Sequence, residues 1–68
     1  MFKPGDHVRV IPAYSGPLQT AHVRITANHG FGPFRVIGVH PQDRGGQVLC
    51  LQVGDERTNV DSRIFQPA

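Results

Sequence analysis

The feature that most constrains this chain is its opening, Phe2-Lys3-Pro4-Gly5-Asp6-His7-Val8-Arg9-Val10-Ile11. A turn carrying Pro4 and Gly5 feeds a segment in which Val8 and Val10 alternate with His7 and Arg9. Successive side chains of a strand point to opposite faces, so this period of two predicts a half-buried strand over His7–Ile11, with the valines inward and His7 and Arg9 outward. A strand of that kind needs neighbours to cover its apolar face.

Composition supplies them. Eight glycines and six prolines punctuate the sequence at short intervals. Val, Ile and Thr together number fifteen against seven for Ala and Leu, a balance that favours strands. No window offers apolar residues at helical spacing without an interrupting Gly or Pro, so any helix is expected to be a single turn. The expected fold class is all-β.

Further along, Ala21 to Thr26 alternates with Val23 and Ile25 opposite His22 and Arg24, which predicts a short strand within a long first connection. Asn28-His29-Gly30-Phe31-Gly32-Pro33 reads as a turn, because Asn and Gly accept positive φ. The segment Phe34 to His40 is apolar on both faces, as a central strand is, and Gly38 lets it bend. Pro12 and Pro41 stop the strands before them. Gln42-Asp43-Arg44-Gly45-Gly46 forms a hairpin loop to a strand at Gln47 to Val53, and Gly54-Asp55-Glu56-Arg57 turns the chain again. Val60 to Phe65 closes it as a short turn and last strand.

The 68 residues make one domain, residues 1–68. A domain this small buries only about 60% of the surface its unfolded chain exposes, so self-association is an open route to extra stability. Cys50 is the only cysteine, which excludes an intrachain disulfide and makes a reducing cytoplasm the expected compartment. No charged start precedes an apolar run, and no apolar stretch approaches the roughly 20 residues that span a bilayer. Neither export nor a membrane partner is expected.

Five short strands, a long first excursion and a tight hairpin after the central strand resemble a Src-homology-3-like small barrel. Lys3-Pro4-Gly5-Asp6-His7-Val8-Arg9-Val10 resembles the Gly-Asp-x-Val-x-Val first strand of such barrels, including the nucleic-acid-binding KOW domains of transcription and translation factors. Gly32-Pro33-Phe34-Arg35-Val36 is similar to the Gly-Pro-Phe-x-Val central strand of retroelement integrase C-terminal barrels. Val60-Asp61-Ser62-Arg63-Ile64-Phe65-Gln66-Pro67 resembles the single-turn helix and last strand by which such barrels close. The resemblance implies a five-stranded barrel with a long first loop and a single-turn helix before the last strand. It is a likeness of fold and identifies no one family.

No catalytic or metal site is legible. His7, His22, His29 and His40 stand 15, 7 and 11 residues apart, whereas structural zinc ligands come in pairs about two to five apart. Cys50 lies in the apolar run Val48-Leu49-Cys50-Leu51, where packing is the expected role. Asp55 and Glu56 fall in a turn, and no second acidic pair stands ready to share acid and base work. Gly30-Phe31-Gly32 lacks the following helix of a phosphate-cradling loop. No cofactor is implied, and the chain is not expected to be an enzyme.

The remaining signal is cationic. Six of the seven basic residues are arginine, with a formal charge of +2 and a pI near 9.3. Arginine presents a planar fork that suits phosphate and carboxylate. By strand alternation Arg9, Arg24 and Arg35 point away from the apolar positions beside them and can share one solvent face. Joined by Tyr14 and Phe31, they would combine phosphate contact with base stacking, as non-specific single-strand binders do. The competing reading puts Phe34 in the core, Phe31 over the barrel end and Tyr14 under its own loop. The sequence thus points to a small non-catalytic binding module for nucleic acid, with Arg9, Arg24, Arg35, Tyr14 and Phe31 as its contacts. The alternative is a protein-interaction or assembly subunit, homo-oligomeric or not, in which exposed rings meet a peptide or an open strand edge meets another chain.

Overall fold

The alternating opening becomes strand β1, His7–Val10, with Val8 and Val10 fully buried and His7 and Arg9 exposed. The structure, a computed structural model, describes residues 1–68 apart from the side chain of Arg44. After β1 come helix α1 (Gln19–His29), β2 (Phe34–Pro41), a 3-10 turn (Asp43–Gly45), β3 (Gln47–Val53), β4 (Glu56–Asp61), a second 3-10 turn (Ser62–Ile64) and β5 (Phe65–Pro67). All strand pairs are antiparallel, in the order β4-β3-β2-β1-β5. The domain is all-β around one helix, and its sheet is compatible with a small barrel-like fold.

One face of that sheet makes the core. Val8 and Val10 of β1, Phe34 and Val36 of β2, Leu49 and Leu51 of β3 and Val60 of β4 are buried together with Ile64 and Phe65. The Phe34 and Phe65 rings meet edge to face with centroids 6.5 Å apart. The register of β2 against β3 slips between Val36 and Gly38, where Ile37 is the extra residue of a bulge. A bulge bends its strand and sharpens the twist, which curls the sheet around the core.

Two expectations fail at α1. Ala21 to Thr26 is not a strand, and the helix runs for 11 residues rather than one turn. The alternation misleads because the two residues that reach the core, His22 and Ile25, are three apart, a helical neighbour spacing. Val23, inward in a strand, is 54% exposed, while His22, outward in a strand, is buried. Intrinsic propensity does little for this helix: no side chain caps its N-terminus at Leu18, and Val23, Ile25 and Thr26 are β-branched. Tertiary contacts hold it instead. The Leu18 N–H donates to the Tyr14 hydroxyl at 3.1 Å, and Gly30, at φ +78°, ends the helix by donating its N–H to the Thr26 carbonyl at 3.0 Å.

β4 is a further difference: Glu56–Asp61 is a strand where a turn over residues 54–57 and a closing segment from Val60 are expected, and it takes the place in the sheet that Ala21 to Thr26 leaves empty. β4 starts at Glu56 inside the segment read as a turn, so the β3–β4 hairpin narrows to Gly54-Asp55, with Gly54 at φ +59°. The last strand follows a single 3-10 turn, as expected, but occupies Phe65–Pro67. The buried Gln47 side chain fastens the N-terminal segment, accepting from the Phe2 N–H at 2.9 Å and donating to the Phe2 carbonyl at 3.1 Å.

Gly32 gives a test of this packing. At φ +100°, an added Cβ would lie 3.1 Å from the Phe34 ring and 3.2 Å from the Val8 carbonyl oxygen, whereas at Gly45, φ +80°, it would meet nothing within 4 Å. Both substitutions strain the backbone, but only one also displaces β1. Gly32→Ala is expected to lower stability by about 2–3 kcal/mol and Gly45→Ala by about 1 kcal/mol, measured by urea unfolding. Equal losses would show that the close approach to Val8 does not matter.

Candidate functional site

Strand register decides which side chains share the outer face. His7 stands opposite Arg35 across β1 and β2, Arg35 opposite Gln52 across β2 and β3, and Gln52 opposite Arg57 across β3 and β4. These four residues form one row over four strands, about 14 Å wide at the usual strand spacing of ~4.8 Å. Arg9, two residues beyond His7 on the same face, pairs with Gln66 and sits diagonally from Arg35. Cys50 and Asn59 face each other in the row on the other side. Arg9, Arg35 and Arg57 are all exposed. Gln52 is half-buried, and its side-chain amide donates to the Gly54 carbonyl at 2.6 Å.

No carboxylate interrupts this patch. Among the described residues the one ion pair is Arg63 with Asp61, at 2.8 Å, two rows away at the far end of β4. Asp61 also caps the second 3-10 turn, its Oδ1 accepting from the Arg63 N–H at 2.9 Å. The hydrogen bond from the Arg63 side chain, helped by its N–H and charge, holds the Asp61 carboxyl below the usual aspartate value against the opposing effect of burial. The same contact raises the Arg63 guanidinium. Arg9, Arg35 and Arg57 have no such acid and are free to meet an external anion.

The structure separates the five residues named from sequence. Arg9 and Arg35 lie together on the outer face. Arg24 is exposed but belongs to α1, which packs on the core through Ile25, and it lines a groove beside β4 instead. Tyr14 and Phe31 gather around His22. The Tyr14 ring stacks on His22 with centroids 5.4 Å apart and 17° between planes, and Phe31 meets it edge-on at 6.2 Å. His22 Nε2 donates to the Ile11 carbonyl at 2.8 Å. The Phe31 carbonyl accepts from the Val10 N–H at 2.9 Å. These rings fasten α1 to the end of β1. Tyr14 therefore packs under its own loop, Phe34 is core, and Phe31 remains 49% exposed. No Phe or Tyr ring stands among the arginines, and the one ring in the row is the exposed His7 imidazole.

Arg57 is the residue that sequence reasoning missed. Placing the hairpin turn at Gly54-Asp55, with Gln52 and Arg57 as its first outward pair, would have brought Arg57 into line with Arg35. Among the described residues, no three His, Cys, Asp or Glu side chains come together to hold a metal ion. No helix there is long and apolar enough to cross a membrane. Comparison with known proteins finds no matching family model, no matching curated protein and no matching solved structure.

The Asp61–Arg63 contact predicts an acid-side loss of stability. A carboxyl held below its unfolded value stabilises the fold above that value, and the gain fades as pH falls through the lower folded value. Asp61→Asn keeps a capping side chain and removes the charge. Its stability is expected to fall short of the parent at neutral pH by a constant margin, which closes as pH drops below the ordinary aspartate value of 3.8. Urea unfolding midpoints between pH 7 and pH 2 measure it, and a margin that does not narrow would assign the effect to packing.

Proposed function

We propose that this chain is a Src-homology-3-like small barrel that binds nucleic acid without catalysis, through phosphate contacts on the outer face of β1 to β4. The observation that carries this reading is the register row His7, Arg35, Gln52 and Arg57, with Arg9 beside it and no carboxylate between. Three guanidinium groups on a sheet face offer forked donors to phosphate oxygens, and Gln52 adds a neutral polar group between two of them. The strand order β4-β3-β2-β1-β5 and the 3-10 turn before β5 support the barrel assignment.

With no Phe or Tyr ring on this face, binding rests mainly on backbone charge rather than base stacking. Such contacts position a protein on a nucleic acid and carry no sequence information directly. The expected behaviour is weak sequence preference and strong salt dependence. The half-buried free thiol of Cys50 fits a reducing compartment such as the cytoplasm.

Fluorescence anisotropy with labelled random single-stranded DNA, duplex DNA and RNA tests this. Micromolar binding at low salt is expected, falling steeply as salt rises. Arg9→Ala, Arg35→Ala and Arg57→Ala are each expected to weaken binding and to flatten the slope of log affinity against log salt by about 0.7 to 0.9, one phosphate contact apiece. Arg24→Ala, off the face, is expected to leave that slope as it was. Absence of binding even at low salt would end the reading, and loss through Arg24 but not Arg35 would move it off the sheet.

A further inference from the structure

The sheet ends in two unequal edges. β5 is three residues long and finishes at Pro67, which has no N–H to offer a neighbour. β4 is six residues long, contains no proline, and has a strand on one side only. About half of the main-chain N–H and C=O groups of an edge strand point away from its partner. Among the described residues, those of Thr58, Asn59 and Val60 make no backbone hydrogen bond outside the β3 pairing.

Alongside this edge, α1 leaves a groove of about 220 Å3. Ala21, Arg24, Ile25 and Asn28 line its helical wall, a single stripe at i, i+3, i+4 and i+7. Ile25 enters the core, the short Ala21 side chain leaves room against the strand, and Arg24 and Asn28 remain exposed at the rim. The opposite wall is the open edge of β4. Small-molecule pockets usually enclose about 300–1,000 Å3, so this space is small for a drug-sized ligand. An extended main chain asks only for a strand's spacing of ~4.8 Å and a row of backbone partners.

Charge chooses the occupant. Asp61 is the one carboxylate at the groove, and Arg63 already holds it at 2.8 Å. Arg24 has no acidic partner among the described residues, and the His29 imidazole stands on the same wall. We propose that the groove between α1 and β4 takes an extended acidic peptide, which adds to β4 as a sixth strand and pairs a carboxylate with Arg24. Main-chain hydrogen bonds would supply affinity, and the Arg24 pair would set the preference. This site is separate from the outer face and stands or falls independently of it.

The test uses the full chain, labelled with nitrogen-15, and two sets of capped octapeptide mixtures, one with Glu and one with Lys fixed at a single position. The Glu mixtures are expected to shift the amides of Thr58 to Val60 and of α1 and to slow their hydrogen exchange, with Lys mixtures at least tenfold weaker. Arg24→Gln is expected to erase the preference and Arg24→Glu to reverse it, and the spectrum of each variant reports whether it is folded. The proposal is overturned by no shift with either mixture at millimolar peptide, by shifts confined to Arg35 and Gln52, or by a preference unchanged in Arg24→Glu. It is also overturned if a random oligonucleotide, and not peptide, moves these amides. Concentration-dependent shifts at Thr58 to Val60 without peptide, with a dimer on sedimentation, would assign the edge to a second copy.

Discussion

The bulge in β2 is the constraint on which the rest of the structure depends. A five-stranded sheet of a chain this short has no second sheet to pack against, so its apolar face must close upon itself. Val36 and Val39 are three residues apart, and in an unbroken strand they would point to opposite faces. The register slip at Ile37 restores them to one face, where Val36 stands across from Leu51 and Val39 across from Leu49. The slip thus aligns the inward residues of β2 with those of β3 and bends the strand in the sense a closed core requires. At position 38 an added Cβ would sit 3.5 Å from that of Cys50, an ordinary contact, so the pairing with Cys50 does not itself demand glycine.

A curled sheet this small leaves its core open on one side, and α1 fills the opening with Ile25, which is 3% exposed, and with Leu18 and Ala21 packed partly buried beside it. Burying one isoleucine contributes about 1.5–3 kcal/mol, a modest sum for an 11-residue helix with no side-chain cap. His22 adds what an apolar residue could not, because its ring is packed by Tyr14 and Phe31 while Nε2 satisfies the Ile11 carbonyl at the end of β1. A buried polar group of this kind is tolerable only when it is hydrogen-bonded, and this one is. Sequence segments that read as a functional aromatic pair are therefore spent on attaching the helix.

How much of this was legible in the sequence follows from the same physics. Strands whose pattern is set by burial of one face, β1 and β3, were readable almost to the residue, because period-two alternation leaves little freedom. The central strand was readable as a strand, but its apolar character on both faces came from the bulge at Ile37, which no local pattern reveals. The helix was illegible because Ala21 to Thr26 satisfies a strand period better than a helical one, and only the position of the core decides that His22 and Ile25 turn inward. The site divided along the same line. Arg9 and Arg35 followed from strand alternation and stand on the outer face, Arg24 followed from an alternation that the helix voids, and Arg57 needed the cross-strand register, which a single strand does not display.

Because α1 and the core use the inner face alone, the outer face carries no packing duty and its side chains are free to be polar and charged. The main chain of a strand lies in the plane of the sheet while its side chains stand perpendicular to it. β4 can therefore present Arg57 to a ligand lying on the outer face and its edge to a ligand lying beside it, without either excluding the other. β5, short and ended by Pro67, cannot do the same at the opposite edge. Any partner of this domain meets an asymmetric object: the helix on the inner face leaves the cations on the other, and the short, proline-ended β5 leaves a single usable edge.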